Sequence, residues 1–416
     1  MEKVVDRFIR YAKINTQSDE NSKTSPTTPA QLELANWLAD ELRSIGINDV
    51  SVDENGYLMA TLEANTSKET PVVGFIAHLD TSPDLKISAI NPQVVNIRYG
   101  KPVVLNAKSN IVLSPLDFPI LNSYIGQPLV VSDGLSNLGA DDKAGIAEIM
   151  TAIEYLIAHP QIKHGPVRIA FTPDEEIGRG ADRFNVKEFN ASFAYTLDGG
   201  GIGEIQYENF NAARARITIQ GLDLHPGSAK NKMKNSMLIA MELNGMLPAY
   251  ETPEHTENYE GFYHLTSING SVESTTMNYI IRDHDKLHFD RKKELLIKIA
   301  DHLNLKYGPR TVKLTMVDQY YNMKEKIEAV FPIVDLAVNA MKAVGIAPRV
   351  KPVRGGTDGA RLSYMGLPCP NLFTGGHNFH SRYEFIPVPS MVKAVEMIVK
   401  IVELLGKEGL PAVRQV

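Results

Sequence analysis

Short, mostly apolar runs alternate with amphipathic stretches through the first half of the chain. Val72–Ala77 (VVGFIA), Val167–Phe171 (VRIAF) and Phe193–Leu197 (FAYTL) carry apolar side chains at nearly successive positions, the pattern of strands covered on both faces. Between the first two, Ile146, Ile149, Ile153 and Leu156 recur at helical spacing, so a helix is predicted from the turn Leu138–Gly145 (LGADDKAG) to about His159. Upstream, Glu2–Ile14 reads as an amphipathic helix. Thr28 is placed as an N-cap, with Pro29 at the first helical position and Gln31 three residues on, opening a helix through about Ile45. The Asn55-Gly56 pair between VSVDE and YLMATL signals a hairpin. From about Pro92 to Val131 no helical period survives, and an irregular β-rich excursion is expected. Strands alternating with helices predict an α/β domain with a mixed, mostly parallel sheet.

After about Phe210 the rhythm changes. ARARITIQG reads as a strand, Ser236–Leu247 as a helix, GFYHLTSING and TTMNYIIRD as two strands, Glu294–Leu303 as part of a second helix and TVKLTMVDQYY as a closing strand. That order, βαββαβ, is a split βαβ (ferredoxin-like) unit complete in itself. From about Asn322 the α/β style resumes, with a helix over Ile333–Val344, a strand over Asn371–Thr374 and a last helix from about Ser390 to Leu405. Residues 1–209 and 322–416 are therefore expected to form one discontinuous domain, and 210–321 an inserted one.

Composition narrows the function classes. A chain of 416 residues exceeds what one core usually supports, in keeping with two domains. The net charge of −6 gives no electrostatic reason to expect nucleic acid or an anionic membrane as partner. One cysteine, Cys369, excludes an internal disulfide framework and any cysteine-rich metal module, and its setting LPCPNLF reads as core. The opening MEKVVDRFIRYAKI lacks the continuous apolar region of a secretory signal, so a cytoplasmic location is expected.

Candidate chemistry clusters after the apolar runs. His78 and Asp80 follow the first, Glu175 and Glu176 the second, Asp198 the third, and His380 comes shortly after NLF. Ligands of open α/β sheets bind beyond the carboxyl ends of the strands, so these residues and Asp141 can share one crevice. Taken singly, each has an ordinary explanation: Asp141 and Asp142 as acids at a helix start, Asp80 as a turn former, Glu175 and Glu176 as a solvated loop. Their repeated placement favours a divalent metal held by imidazole and carboxylate, a set that suits zinc. His377 competes with His380 for the last position, and spacing does not choose between them.

Seven segments then carry a resemblance: HLDTS at His78, GADDKAG at Asp141, TPDEEIG at Glu175, LDGG at Asp198, HPGSAK at His225, RGGTDGARLS at Arg354 and FTGGHNFHSRYEF at His380. Together and in order, they resemble the di-zinc exopeptidases related to carboxypeptidase G2, and more narrowly the tripeptide aminopeptidases among them. The resemblance implies a zinc-exopeptidase-like catalytic domain with an inserted lid and dimerisation domain. It implies two zinc ions per subunit bridged by Asp141, with His78 and Asp198 completing one site and Glu176 and His380 the other, so His380 rather than His377. Asp80 would hold the His78 imidazole from behind. Glu175 would be the general base for a water bridging the metals. His225 would stabilise the oxyanion, in some relatives from the partner subunit. Arg354 and Arg282 are candidates for holding a substrate carboxylate, a task for the planar guanidinium fork. Short peptides, chiefly tripeptides, are the implied substrates, and a homodimer through the inserted domain the implied assembly. Carboxypeptidases, dipeptidases and amino-acid deacylases share the metal set and stay open as alternatives. A metal-bound peptide-binding protein without turnover would be expected to lack the base or the bridging carboxylate, and both are present.

Overall fold

The structure, a computed structural model, describes residues 3–85 and 89–411. Its contacts divide the chain into two units. The first runs to Tyr207 and resumes over Glu325–Lys351 and from Thr357 onward; the second comprises Glu208–Lys324 and Pro352–Gly356.

The first unit is built on an eight-stranded sheet in the order 49–52, 58–62, 167–172, 73–78, 193–199, 371–373, 204–206, 349–350. Its centre is parallel: Val167–Thr172, Val73–His78, Phe193–Gly199 and Asn371–Phe373 pair side by side in one direction. Their carboxyl ends therefore open on the same edge, where the chain goes on to Asp80, Glu175 and His380. All six residues of Val73–His78 are buried. Ile76, Ala170 and Ala194 pack with Phe184, Phe189, Leu362 and Cys369, while the helix Ala140–Ala158 lies against Val73–His78 and Phe193–Gly199. Helices Lys3–Ala12 and Val388–Glu408 pack on that helix in turn, so the two ends of the chain close the unit.

The helix approaches the sheet closely because of one glycine. A Cβ on Gly145 would sit 2.2 Å from the Leu197 carbonyl oxygen and 2.5 Å from Asp142 Oδ1. Any side chain there must push the helix off the strand that carries Asp198.

Several local expectations shift. The first helix spans Lys3–Ala12, and the expected start at Glu2 lies outside the described residues. The hairpin at Asn55-Gly56 forms, but its last pair is Val52 with Leu58. Asp53 closes the longer loop, its Oδ1 accepting from the amides of Asn55 and Tyr57 at 2.9 Å each. The helix over Pro29–Ser44 has Thr28 at its N-cap without a side-chain capping bond. Gln31 does not complete a capping box. Its side chain pairs reciprocally with Asp174, Nε2 donating to Oδ1 at 2.7 Å and Oε1 accepting from the Asp174 amide at 3.0 Å. The excursion resolves into short pieces, a three-stranded sheet of 385–387, 128–131 and 93–96 and a hairpin of 103–106 with 111–113.

The second unit is a four-stranded antiparallel sheet in the order 262–270, 274–283, 211–220, 312–320, with helices Ser236–Gly245 and Lys286–Tyr307. The element order is the expected βαββαβ. The second helix begins earlier than expected, capped by Asp285, whose Oδ1 accepts from the His288 amide at 2.8 Å. Its buried positions Phe289, Lys292, Leu296, Ile299 and Leu303 keep helical spacing, but a lysine in that register hides the period. Pro352–Gly356, within the stretch expected for the first domain, packs with the second unit because Arg354 is tied to the 256–260 loop. Arg354 donates to the carbonyls of Thr256, Asn258 and Glu260 at 3.2, 3.0 and 2.8 Å.

Gly145→Ala tests the close approach. Overpacking of this kind typically costs ~1–3 kcal/mol, so a lowered denaturation midpoint is expected at equal slope. An unchanged midpoint would mean that the helix is not seated on Leu197 as described.

Candidate metal centre

Six side chains, those of His78, Asp141, Glu175, Glu176, Asp198 and His380, meet beyond the parallel strand ends. His78 is the last residue of its strand, and Asp198 lies one residue before the end of its own. Asp141 sits at the start of the helix Ala140–Ala158, where its φ of −84° and ψ of 103° are not helical, and the Asp141–Asp142 peptide is cis. Glu175 and Glu176 occupy a single 3₁₀ turn, Glu175–Ile177, after Val167–Thr172. That turn is entered through Asp174 in the left-handed region at φ 58°. Its conformation is held by Gln31 and by Thr27, whose amide lies 2.9 Å from Asp174 Oδ2 and whose hydroxyl also donates to the carboxylate.

Donor atoms from these residues form two groups that share Asp141: His78, Asp141 and Asp198 in one, and Asp141, Glu176 and His380 in the other. Within each group the atoms lie within 4.8 Å of one another. His78 Nε2 is 2.9 Å from Asp141 Oδ1 and 3.7 Å from Asp198 Oδ1. His380 Nε2 is 3.1 Å from Asp141 Oδ2 and 2.8 Å from Glu176 Oε2. Asp141 thus offers one oxygen to each imidazole.

Asp80 is fully buried and ties the groups together. Its carbonyl oxygen lies 3.1 Å, and its Oδ1 3.3 Å, from His78 Nδ1, which leaves Nε2 turned toward Asp141. The same carboxylate accepts the amides of Glu175 and Glu176 at 2.9 and 3.1 Å. One residue therefore orients an imidazole and the turn carrying both glutamates.

Proton affinities record an excess of negative charge. Burial alone would lower the His78 pKa, but hydrogen bonds to Asp141, Asp198 and Asp80 raise it well above the ordinary value. His380 is driven up to about 11 by its bonds to Asp141 and Glu176. Burial pushes Glu176 up to about 8, with Asp141 adding to the rise. Glu175 is raised well above the carboxylate range by burial and by the Asp198 charge. Asp141 is held low against its burial by His380 and His78. The imidazoles are acting as cations for a surplus of carboxylates, and a divalent cation can take that place. Glu176 Oε1 is buried without a hydrogen-bond partner, a donor atom that a metal would satisfy. Nitrogen and oxygen donors without thiolate fit zinc and related divalent ions.

Two further residues adjoin the site for which the sequence predicts no role in it, Asp142 being read only as an acid at a helix start. Asp142 Oδ2 accepts the His78 amide at 3.1 Å. Asp358 lines a small buried space with His78, Asp142, Glu175 and Asp198, and burial raises its pKa to about 7. The doubled acid after Ala140 was a visible signal for the first. The second lies in RGGTDGARLS, four residues after Arg354, and its partner Thr172 is far away in sequence, donating to Asp358 Oδ2 at 3.0 Å.

His377 is placed elsewhere. Its Nε2 lies 2.6 Å from the Tyr124 hydroxyl and its ring stacks on Phe385, so it joins neither donor group. In the second unit, His225 Nδ1 accepts the Gly227 amide at 3.1 Å, which puts the proton of a neutral ring on Nε2. Arg282 donates to the Ala213 and Ile281 carbonyls at 3.2 and 3.0 Å and lies over Tyr320. Arg354, besides its loop carbonyls, lies over Phe210 and Phe262. Both guanidinium groups are engaged within their own unit.

Comparison with known proteins adds four findings. Residues 207–311 match the family model described as a peptidase dimerisation domain. The chain is 61% identical over 409 residues, 98% of its own length and 100% of the relative's, to a protein named peptidase T from Caldanaerobacter subterraneus subsp. tengcongensis. Among solved structures, the aminopeptidase PepT of Bacillus cereus superposes with a TM-score of 0.76 at 22% identity, covering 98% and 99% of the two chains. A Bacillus subtilis protein described as a dinuclear metal-binding peptidase of the M20 family gives 0.65 at 13% identity over 98% of each chain.

The His377 environment generates a test. Burial lowers its pKa to about 4, with the Arg349 charge adding to the fall. Between about pH 6.5, the ordinary histidine value, and pH 4, the unfolded chain takes up a proton that the folded chain refuses, so stability drops as pH falls through that window. Urea unfolding followed from pH 7 to pH 4.5 should therefore show a smaller loss for His377→Gln than for the parent. Parallel curves would remove His377 from the acid sensitivity.

Proposed function

The chain belongs to the peptidase T family, and from that premise we propose that it is a metallo-aminopeptidase that releases the N-terminal residue of tripeptides. The observation that carries this reading is the sharing of Asp141 between the His78–Asp198 and Glu176–His380 donor groups. This arrangement is suited to two divalent ions side by side, and zinc, two per chain, is the metal we assign from the donor types. When bound, the ions would supply Lewis acidity and bring a water toward ionisation near neutral pH.

The protein's own groups do the rest. Glu175 belongs to neither donor group, and its carboxylate is assigned to take the proton of the attacking water and deliver it to the leaving amine. Its raised proton affinity suits a group that must accept and then return a proton. Asp80 fixes the distance between this base and the metal ligands, since it holds both the His78 ring and the Glu175 amide. His225, with its proton on Nε2, is assigned to donate a hydrogen bond to the developing oxyanion. A substrate carboxylate would be held by Arg354 only in exchange for its bonds to the 256–260 loop, and Arg282 faces the same requirement with carbonyls of its sheet. Arg354 is the better candidate of the two, because its guanidinium is the more exposed.

The division of labour follows the two units: the first, Met1–Tyr207, Glu325–Lys351 and Thr357–Val416, holds the metal and the base, and the second, Glu208–Lys324 with Pro352–Gly356, is assigned to the lid, to assembly and to the contribution of His225. The dimerisation-domain match supports self-association, and a homodimer is proposed. Strand Phe262–Gly270 lies at an edge of its sheet with Ile268 exposed, and the helix Ser236–Gly245 exposes Leu238 and Met241. Among the described residues no helix is long and apolar enough to cross a membrane. A cytoplasmic site of action is proposed from the lone buried cysteine.

Three outcomes test the reading. Mass spectrometry of a tripeptide of three different residues should show release of only the first from the free peptide, lost on chelation and on N-acetylation; cleavage of the acetylated form would point to a deacylase or carboxypeptidase. Glu175→Gln should keep the parent's metal content while turnover falls by about 10²–10⁴-fold, and retained activity would displace it as the base. Sedimentation should give twice the 46.0 kDa chain mass, with Leu238→Glu plus Met241→Glu shifting the protein toward monomer.

A further inference from the structure

The loop carrying His380 is unusually self-contained. Its base is closed by two backbone bonds between His377 and Phe385, at 2.9 and 3.1 Å. Inside it, the Ser381 hydroxyl donates to the Asn378 carbonyl at 2.7 Å and accepts the Tyr383 amide at 3.1 Å. The Glu384 amide donates to the Ser381 carbonyl at 3.2 Å. His380 and Glu384 therefore belong to one small closed body.

Glu384 reaches out of that body to the segment that presents Asp141. It is 1% exposed. Its Oε2 accepts the amides of Leu138 and Gly139 at 2.7 and 2.9 Å, and its Oε1 accepts the amide of Asp141 itself at 3.1 Å. Amides at a helix start have no partner within the helix, and the non-helical Asp141 backbone turns its own toward this carboxylate. One end of a short rigid loop thus carries a ligand of the second donor group, while its other end grips the backbone of the ligand shared by both groups.

We propose that Glu384 is a positioning residue that sets the spacing between Asp141 and His380, and with it the affinity of the Asp141–Glu176–His380 metal site, without touching metal or substrate. The inference rests on the metal reading above. It also explains the choice of acid: three N–H donors converge on two oxygens, and an amide in place of the carboxylate would set an NH₂ against one of the oxygens' donors. Groups behind metal ligands typically hold about 10–100-fold in affinity.

The test compares Glu384→Gln and Glu384→Asp with the parent, and with Glu148→Gln, which alters an equally buried carboxylate lacking hydrogen-bond partners. Zinc binding is measured by chelator competition, ligand geometry by the visible spectrum of the cobalt-loaded protein, and folding by melting of the metal-free forms. The expected result is one ion held as in the parent and the other weakened about 10–100-fold, with an altered cobalt spectrum, activity regained at excess zinc and Glu148→Gln unchanged in zinc affinity. Equal weakening of both ions together with a lowered metal-free melting temperature would reduce Glu384 to a general structural role and overturn the proposal. So would parental affinity for both ions in both Glu384 variants. A parent that binds no divalent metal would instead overturn the metal reading itself, and the proposal with it.

Discussion

The first unit is organised around a surplus of buried negative charge. Asp80, Asp142, Asp358 and Glu384 are all buried, and Asp141, Glu176 and Asp198 converge on His78 and His380 beside them. So many carboxylates cannot all ionise in a poorly solvated space without cations or N–H donors to meet them. The fold answers in two ways. Where a carboxylate faces backbone, amides converge on it: two on Asp80 and three on Glu384. Where carboxylates face each other, the imbalance is left for imidazolium or a divalent ion to settle. The parallel strands matter because their ends deliver these groups to one edge while the strands themselves are locked by apolar packing.

Much of this was legible in the sequence because it rests on local patterns. VVGFIA, VRIAF and FAYTL announced buried strands, and the acids and histidine following each run come together at their ends. The βαββαβ order was also legible, since each of its elements carries its own period. Other features are invisible locally. Gln31 looked like a capping residue and instead grips Asp174, across more than half of the first unit's leading segment, and Lys292 broke the apolar period of a helix it helps to bury. Spacing could not separate His377 from His380. The loop separates them by folding back at Phe385, so that one ring stacks against the excursion and the other faces Asp141.

Arg354 shows the same limit from another side. Its setting in RGGTDG suggests a ligand-binding arginine, yet its guanidinium is occupied by three carbonyls of the 256–260 loop. A fork that suits a carboxylate also suits a ring of carbonyl oxygens. Residue type defines what a side chain can hold; the long-range path of the chain decides what it is given.

The interrupted path of the first unit also bears on how the protein is made. Domains form as the chain emerges, N-terminal parts first. Here the second unit is nearly continuous, Glu208–Lys324, and needs only the later Pro352–Gly356 piece, whereas the first awaits Val388–Glu408 to cover the helix Ala140–Ala158. His380 reaches the ribosome exit after every other member of the two donor groups. The two donor groups therefore cannot both be complete until residue 380 has been synthesised and its loop has folded back toward Asp141.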